Sequence, residues 1–305
     1  MFKSALWATA LFLAAPIAAE VPSYPAQFQS RDITANGVTL HVRVGGKGPA
    51  VLLLHGYGET GDMWSPLAAA LKDDHTVVVP DLRGMGLSSH PAGGFDKMTQ
   101  GRDMQGLLAA LGIERYDVVA HDIGNMVAFA LATQQPDRIG HLVVIDAPVP
   151  GVGPWDEVLK MPLLWHFRFG GKDMERLVAG RERIYLDRFW NEFSANPARF
   201  DEASRQHYAA LYARPGAMHS GFAQFAAFDQ DTADNRAWLA AGNKLKMPIL
   251  ALGGEKSFGP MMATVMRAAA TNVTEGVVPD SGHWIMEENP AGTVTRVVTF
   301  LKSGQ

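Results

Sequence analysis

Three positions in this 305-residue chain carry side chains whose type and setting suit covalent chemistry: Asp122, His283, and one of two acids, Asp146 or Glu255. Asp122 lies in YDVVAHDIGNMVAFA (Tyr116–Ala130), where an apolar run passes directly into helical spacing. Its neighbours two positions away, Ala120 and Gly124, are small, as a sharp strand-to-helix corner requires because its backbone packs tightly. Such corners commonly carry a serine in G-x-S-x-G, a pattern this chain lacks. A carboxylate, with an ordinary pKa near 3.9, is ionised at neutral pH and attacks without a base to activate it. Its natural target is an sp3 carbon, with which it forms an ester. The competing reading is that Asp122 only caps the helix that follows.

His283, in PDSGHWIMEENP, lies just past the last strand-like run and before the last helical one, where a general base would reach the same end of a sheet. Of the ten histidines it is the one in that order after nucleophile and acid. Glu255 in LALGGEKSFG follows the strand before the histidine, and Asp146 in VVIDAPVP ends the strand after that of Asp122. The residues alone do not choose between them as the acid that orients His283. HGYGET (His55–Thr60) follows another apolar run, so the backbone N–H of Tyr57 can join that of Ile123 in holding an oxyanion.

These groups need a frame, and the pattern supplies one. Gly37–Val44 alternates as an exposed strand does. Pro49–Gly56, His75–Gly84, Tyr116–Asp122, His141–Pro148, Met247–Gly254 and Val273–Pro279 are apolar runs suited to buried parallel strands. Helical spacing occupies Asp62–Leu71, Met98–Leu111, Asn125–Gln134 and Ala291–Leu301 between them. From 149 to 236 the chain is aromatic-rich and helical in period, with no buried-strand run, which predicts an inserted lid over an α/β core at 36–148 and 237–303. Ligands of open α/β sheets bind beyond the carboxyl ends of the strands, where such a lid would sit.

Composition narrows the rest. A formal net charge of −4 and no basic block argue against a nucleic-acid partner or an acidic membrane surface. The absence of cysteine removes disulfides and thiolate metal sites, and no H-E-x-x-H or comparable ligand spacing occurs, so neither metal nor cofactor is expected. Residues 1–19 read as an export signal: Lys3, an apolar stretch too short to span a bilayer, then Ala18 and Ala19 before Glu20. A periplasmic or secreted protein with no stable membrane span after processing is expected, and a homodimer would be unsurprising.

The ordered set HGYG, PDLRGMGLS, VAHDIGNM, the helical insertion and GHWIMEENP resembles the α/β-hydrolase fold. Within that fold it is similar to the aspartate-nucleophile branch of epoxide hydrolases and of haloalkane and haloacetate dehalogenases. The resemblance implies a mostly parallel eight-stranded sheet flanked by helices, with an inserted cap and a small-molecule substrate, an epoxide. It implies Asp122 as nucleophile and His283 as the base that activates water. It favours Asp146 as the acid, with Glu255 as fallback. It also singles out His166 in LWHF as one of two cap groups that hold an epoxide oxygen, with Trp165, Phe167 and Phe225 shaping the pocket. Phe225 in SGFAQFAAF stands where the branch places a second donor, a tyrosine, and phenylalanine has no proton to give; Tyr185, Tyr208, Tyr212 and Gln224 are the candidate substitutes. Two alternatives remain open at this point: a dehalogenase with the same nucleophile, and a secreted binding protein that has lost turnover. Ile123 and Met126 occupy the places where haloalkane dehalogenases have tryptophan and haloacetate dehalogenases have arginines.

Overall fold

The computed structural model describes residues 23–303. The segment read as an export signal lies outside them. Eight strands form one sheet in the order β1-β2-β4-β3-β5-β6-β7-β8. They are β1 (Gln29–Ala35), β2 (Val38–Gly46), β3 (Ala50–Leu54), β4 (Thr76–Pro80), β5 (Tyr116–His121), β6 (Ile139–Ile145), β7 (Ile249–Gly254) and β8 (Val273–Val278). β1 and β2 are antiparallel to their neighbours; from β4 onward every pairing is parallel.

The central strands are apolar throughout because both faces are covered. Val51, Leu53, Val119, Val143, Ile145, Leu250 and Leu252 pack on one face with Leu67 and Leu71 of α1 (Ser65–Leu71) and Val297 and Leu301 of α12 (Pro290–Lys302). Leu52, Leu54, Val118, Ala120, Leu142 and Val144 pack on the other. There they meet α2 (Lys97–Ala110), α3 (Ile123–Gln134) and α10 (Met261–Arg267) through Met104, Leu107, Val127, Met262 and Met266.

Between β6 and β7 the chain forms only helices. These are α4 (Trp155–Val158), a 3-10 segment at Pro162–Arg168, α5 (Lys172–Val178), α6 (Glu182–Glu192), a short 3-10 turn at Pro197–Arg199, α7 (Glu202–Tyr212), α8 (Ala217–Ala226) and α9 (Phe228–Ala240). The remaining short helix, α11 (Ile285–Glu288), follows the β8 loop.

Two boundaries differ from the pattern reading. The sheet begins at Gln29, ahead of position 36, because β1 is an edge strand whose residues are exposed nearly throughout, leaving no apolar signature. α9 runs through position 236 to Ala240, since nothing in FDQDTADNRAWLA stops a helix there.

Candidate active site

Strand register brings the chemistry together. Leu54 of β3 pairs with Ala120 of β5, and His121 of β5 pairs with Ile145 of β6, whose row continues to Leu252 of β7. The next residues along these rows are therefore neighbours at one end of the sheet: the HGYG turn, Asp122, Asp146 and the β7 terminus. This is the carboxyl edge of the parallel strands, beside the point where strand order reverses around β3.

Asp122 sits at φ 50°, ψ −120°, a left-handed backbone that is costly for a residue with a side chain and that aims its carboxylate out of the corner. It makes no side-chain cap to α3, which removes the helix-capping reading. The corner is tight enough that small neighbours are obligatory. A Cβ at Gly124 would lie 2.3 Å from the Leu54 carbonyl oxygen, and one at Gly56 would lie 2.3 Å from the Cβ of Asp122. Asn125, buried in the first turn of α3, donates to the carbonyls of Ile145 (2.7 Å) and Ala147 (3.0 Å) and accepts from Ile145 N–H (2.9 Å). It thereby ties the corner of Asp122 to the loop of Asp146. An amide in the first turn of a helix that is apolar from Met126 to Ala132 was the available sequence signal for this role.

The Tyr57 N–H donates to Asp122 Oδ1 at 2.7 Å. Gly58 fixes that turn from both sides, donating to the Tyr212 hydroxyl (2.8 Å) and accepting from the Trp190 indole (3.2 Å). The Ile123 N–H opens α3 and belongs to the first-turn donors that a helix leaves without an internal acceptor. Of the two expected oxyanion amides, that of Tyr57 is seated on the Asp122 carboxylate.

His283 Nε2 stands 3.7 Å from Asp122 Oδ2, and its Nδ1 is 2.9 Å from Asp146 Oδ2. The other Asp146 oxygen accepts from the Gly254 (2.7 Å) and Phe258 (3.2 Å) N–H groups, so this carboxylate is fully engaged and fixed. Burial pulls the His283 pKa down, but the hydrogen bond to Asp146 and the charges of Asp122 and Asp146 outweigh it and bring it to about 9. Glu255 does not share this arrangement. It is exposed and accepts from the Asp280 N–H at 3.2 Å, with Lys256 at 3.4 Å, because it follows the last residue of β7 and turns outward.

Above Asp122 the cap and core enclose a narrow cavity of about 40 Å³. Asp122, Asp146, His283 and His166 are its charged or titratable edge, along with Tyr57. Met126, Leu164, Phe167, Phe189, Phe193, Phe225, Phe258 and Trp284 make the rest of the wall largely apolar, and among the described residues no Lys or Arg lines it. His166 is edge-on to Phe167, Phe189, Phe193 and Phe225, with ring centroids 4.7–5.8 Å away. Burial in this cage lowers its pKa to about 4, so the ring is neutral. Its Nδ1 is buried without a side-chain hydrogen-bond partner among the described residues.

Phe167 and Phe225 line the cavity, stacked on each other at 5.8 Å. Trp165 does not. It packs on Phe169 and Phe189, with the Arg188 guanidinium 4.4 Å above its ring. In the 3-10 segment adjacent side chains point about a third of a turn apart, so a His166 that faces inward sends Trp165 away. Nor do Tyr185, Tyr208, Tyr212 or Gln224 reach the cavity wall; Gln224 is spent on the Arg83 carbonyl and Gln100.

The family model for the α/β-hydrolase fold matches residues 49–290. The chain belongs to the α/β-hydrolase family. It is 30% identical to a soluble epoxide hydrolase of Corynebacterium sp. (strain C12) over 274 residues, covering 87% of this chain and 94% of that protein. It is 28% identical to a fluoroacetate dehalogenase of a Burkholderia species over 299 residues, covering 91% and 95%. Among solved structures, the Cif epoxide hydrolase of Acinetobacter nosocomialis superposes with a TM-score of 0.86 at 26% identity, covering 92% of this chain and 90% of that one. The protein is therefore an enzyme of this hydrolase family, and its relatives include both activities expected from the motifs.

The two candidate acids are separable by substitution. Glu255→Gln is expected to leave turnover within roughly twofold of wild type, as for other surface changes. Asp146→Asn is expected to lower kcat by at least roughly a hundredfold, because the amide can present an N–H to Nδ1 and favour the wrong tautomer of His283. Steady-state kinetics on both variants checks this. Equal losses would remove Asp146 from its assigned place.

Proposed function

We propose that this enzyme is an epoxide hydrolase that works through a covalent ester on Asp122. Asp122 Oδ2 attacks a ring carbon, the C–O bond breaks, and the ring oxygen leaves toward His166. A neutral imidazole N–H is well suited to this, since it stabilises a developing alkoxide by hydrogen bonding without needing a charge of its own. The alkoxide takes its proton through His166 from water. In the second step a water gives one proton to His283 and its hydroxide to the Asp122 carbonyl carbon. The oxyanion forms on Oδ1, already the acceptor of the Tyr57 N–H, with the Ile123 N–H beside it. Collapse releases a vicinal diol and restores the carboxylate, and His283 returns its proton to solvent.

The observation that carries this reading is the pairing across an apolar cavity of one carboxylate nucleophile with one neutral, caged imidazole. The charge state of His283 fits the order of events. Asp122 attacks while His283 is protonated, and the ester then removes the carboxylate charge that holds the His283 proton. The base is freed at the step that needs it.

One observation favours a second reading, halide displacement. A halide leaves with N–H donors alone, and His166 lines the cavity in edge contact with Phe225, which has no proton to give. A halocarboxylate fits less well, because its carboxylate would face no Lys or Arg on the cavity wall. A panel of terminal aliphatic epoxides, haloalkanes and haloacetates separates the readings, scored for diol and for free halide. Diol from the epoxides is expected. Halide release with no diol from any epoxide would replace the epoxide reading.

A further inference from the structure

Behind the reacting groups lies a second set of ionisable side chains that the two-step reaction does not use. Glu59, at the end of HGYGE, is fully buried, and neither of its carboxyl oxygens finds a hydrogen-bond donor among the described residues. Its Oε2 stands 3.3 Å from Nδ1 of His121, the fully buried residue immediately before Asp122. Glu287 of α11 brings a second carboxyl against that of Glu59, and its Oε2 is also buried without a donor. His121 reaches toward the site. Its Nε2 is 3.0 Å from the backbone carbonyl of His283, and the two imidazole rings lie 4.5 Å apart.

The chemistry of these contacts fixes the protons. A carbonyl only accepts, so the His121 proton belongs on Nε2. In the neutral ring Nδ1 is then an acceptor facing a carboxyl, and two carboxyls face each other. Buried acceptors without donors are costly, and buried like charges more so. Protons on Glu59 and Glu287 resolve every conflict at once, one shared between the carboxyls and one directed from Glu59 to Nδ1. Burial raises both acids, with the proximity of Glu59 adding to the rise at Glu287, and burial lowers His121 to about 4. Other ionisable groups in this environment are Asp122, Asp146 and His283 on the cavity side, Glu288 on α11, and Tyr208 and Tyr212 of α7 on the cap side, with Asp62 beyond Tyr208.

We infer that Glu59, held protonated against Glu287, is a positioning residue: it fixes His121 as the neutral Nε2–H tautomer, and His121 in turn holds the backbone and ring of His283. This rests on the reading of His283 as the base. A neutral His121 lets His283 take a proton from water without a second cation 4.5 Å away. Were Glu59 to lose its proton, its carboxylate would draw the single His121 proton to Nδ1, and the Nε2–H bond to the His283 carbonyl would be lost.

Glu59→Gln keeps an N–H donor for Nδ1 and cannot ionise, whereas Glu59→Met removes the donor at similar length. In 15N-histidine NMR of the whole substrate-free protein, His121 is expected as the neutral Nε2–H tautomer in wild type and Glu59→Gln. In Glu59→Met its Nδ1 signal is expected to shift to that of an unbonded nitrogen. Glu59→Met is expected to lower kcat roughly 10- to 100-fold with little change in KM, through slowed ester hydrolysis and accumulation of the ester. Glu59→Gln restores kcat and extends the alkaline limb of the wild-type pH profile upward. A wild-type His121 protonated on Nδ1, a Glu59→Gln variant as impaired as Glu59→Met, or ester hydrolysis at the wild-type rate in Glu59→Met would each overturn the inference. Failure of the functional reading looks different: no ester forms in any variant, and the NMR tautomer alone then decides.

Discussion

Asp122→Asn is expected to lower turnover roughly ten-thousand-fold or more, the scale on which loss of a covalent nucleophile is felt. The amide is isosteric, so its oxygen can still accept the Tyr57 N–H and the cavity keeps its shape. What changes is nucleophilicity and charge. The charge also acts on His283, which Asp122 and Asp146 together raise to about 9 against the lowering effect of burial. Removing one of the two charges should move the His283 pKa down toward its ordinary value near 6.5. A second consequence has a definite sign. A histidine raised in the folded state stabilises the fold fully below its unfolded pKa, and that contribution is lost as pH rises through the folded value. For the wild type the window runs from about 6.5 to about 9 and is worth roughly 3 kcal/mol. In Asp122→Asn the loss should be complete at lower pH and be smaller. Histidine NMR titration and denaturant unfolding between pH 6 and 9 measure both effects. An unchanged His283 pKa in this variant would mean that the 3.7 Å pair with Asp122 does not govern its charge.

How much of this was legible beforehand depends on what each residue contributes to pattern. The strands that carry the site are short apolar runs, and the corner at Asp122 announced itself through small neighbours and an abrupt change of period. β1 was not legible, because an exposed edge strand with polar side chains looks like a loop. The choice between Asp146 and Glu255 needed coordinates: both follow strands that end at the correct edge, and only the direction of the turn after β7 sends one of them outward. Trp165 and His166 were both expected at the pocket until the 3-10 turn assigned one inward and one outward. Glu59 and His121 were hidden for another reason. Each lies within a motif whose other members explained it, and only full burial, together with the missing donors, shows that they do something further.

His283→Gln should convert the enzyme from a catalyst into a trap. The first step needs the Asp122 carboxylate and the His166 N–H, neither of which this substitution touches. The second needs a base within reach of a water beside the ester carbonyl, and glutamine cannot accept the proton. Turnover is expected to fall roughly ten-thousand-fold, while reaction with an epoxide should add the mass of one intact substrate to the protein. Peptide mapping should place that mass on the peptide containing Asp122, in a single equivalent per chain. The contrast with Asp122→Asn is what makes the pair diagnostic. Both are inactive, but only His283→Gln accumulates ester, and the double variant should show none. A haloalkane would give a lighter adduct, since halide departs, so the same spectrum also distinguishes ring opening from halide displacement. Full inactivity of His283→Gln without any adduct, on a substrate that the wild type turns over, would mean that water is activated for direct attack on the substrate and that Asp122 is not the nucleophile. The 3.7 Å between His283 Nε2 and Asp122 Oδ2 argues against that outcome. It leaves the imidazole close enough to drive a water at the Asp122 carbonyl carbon, while Oδ1 is already seated on the Tyr57 amide that would receive the charge.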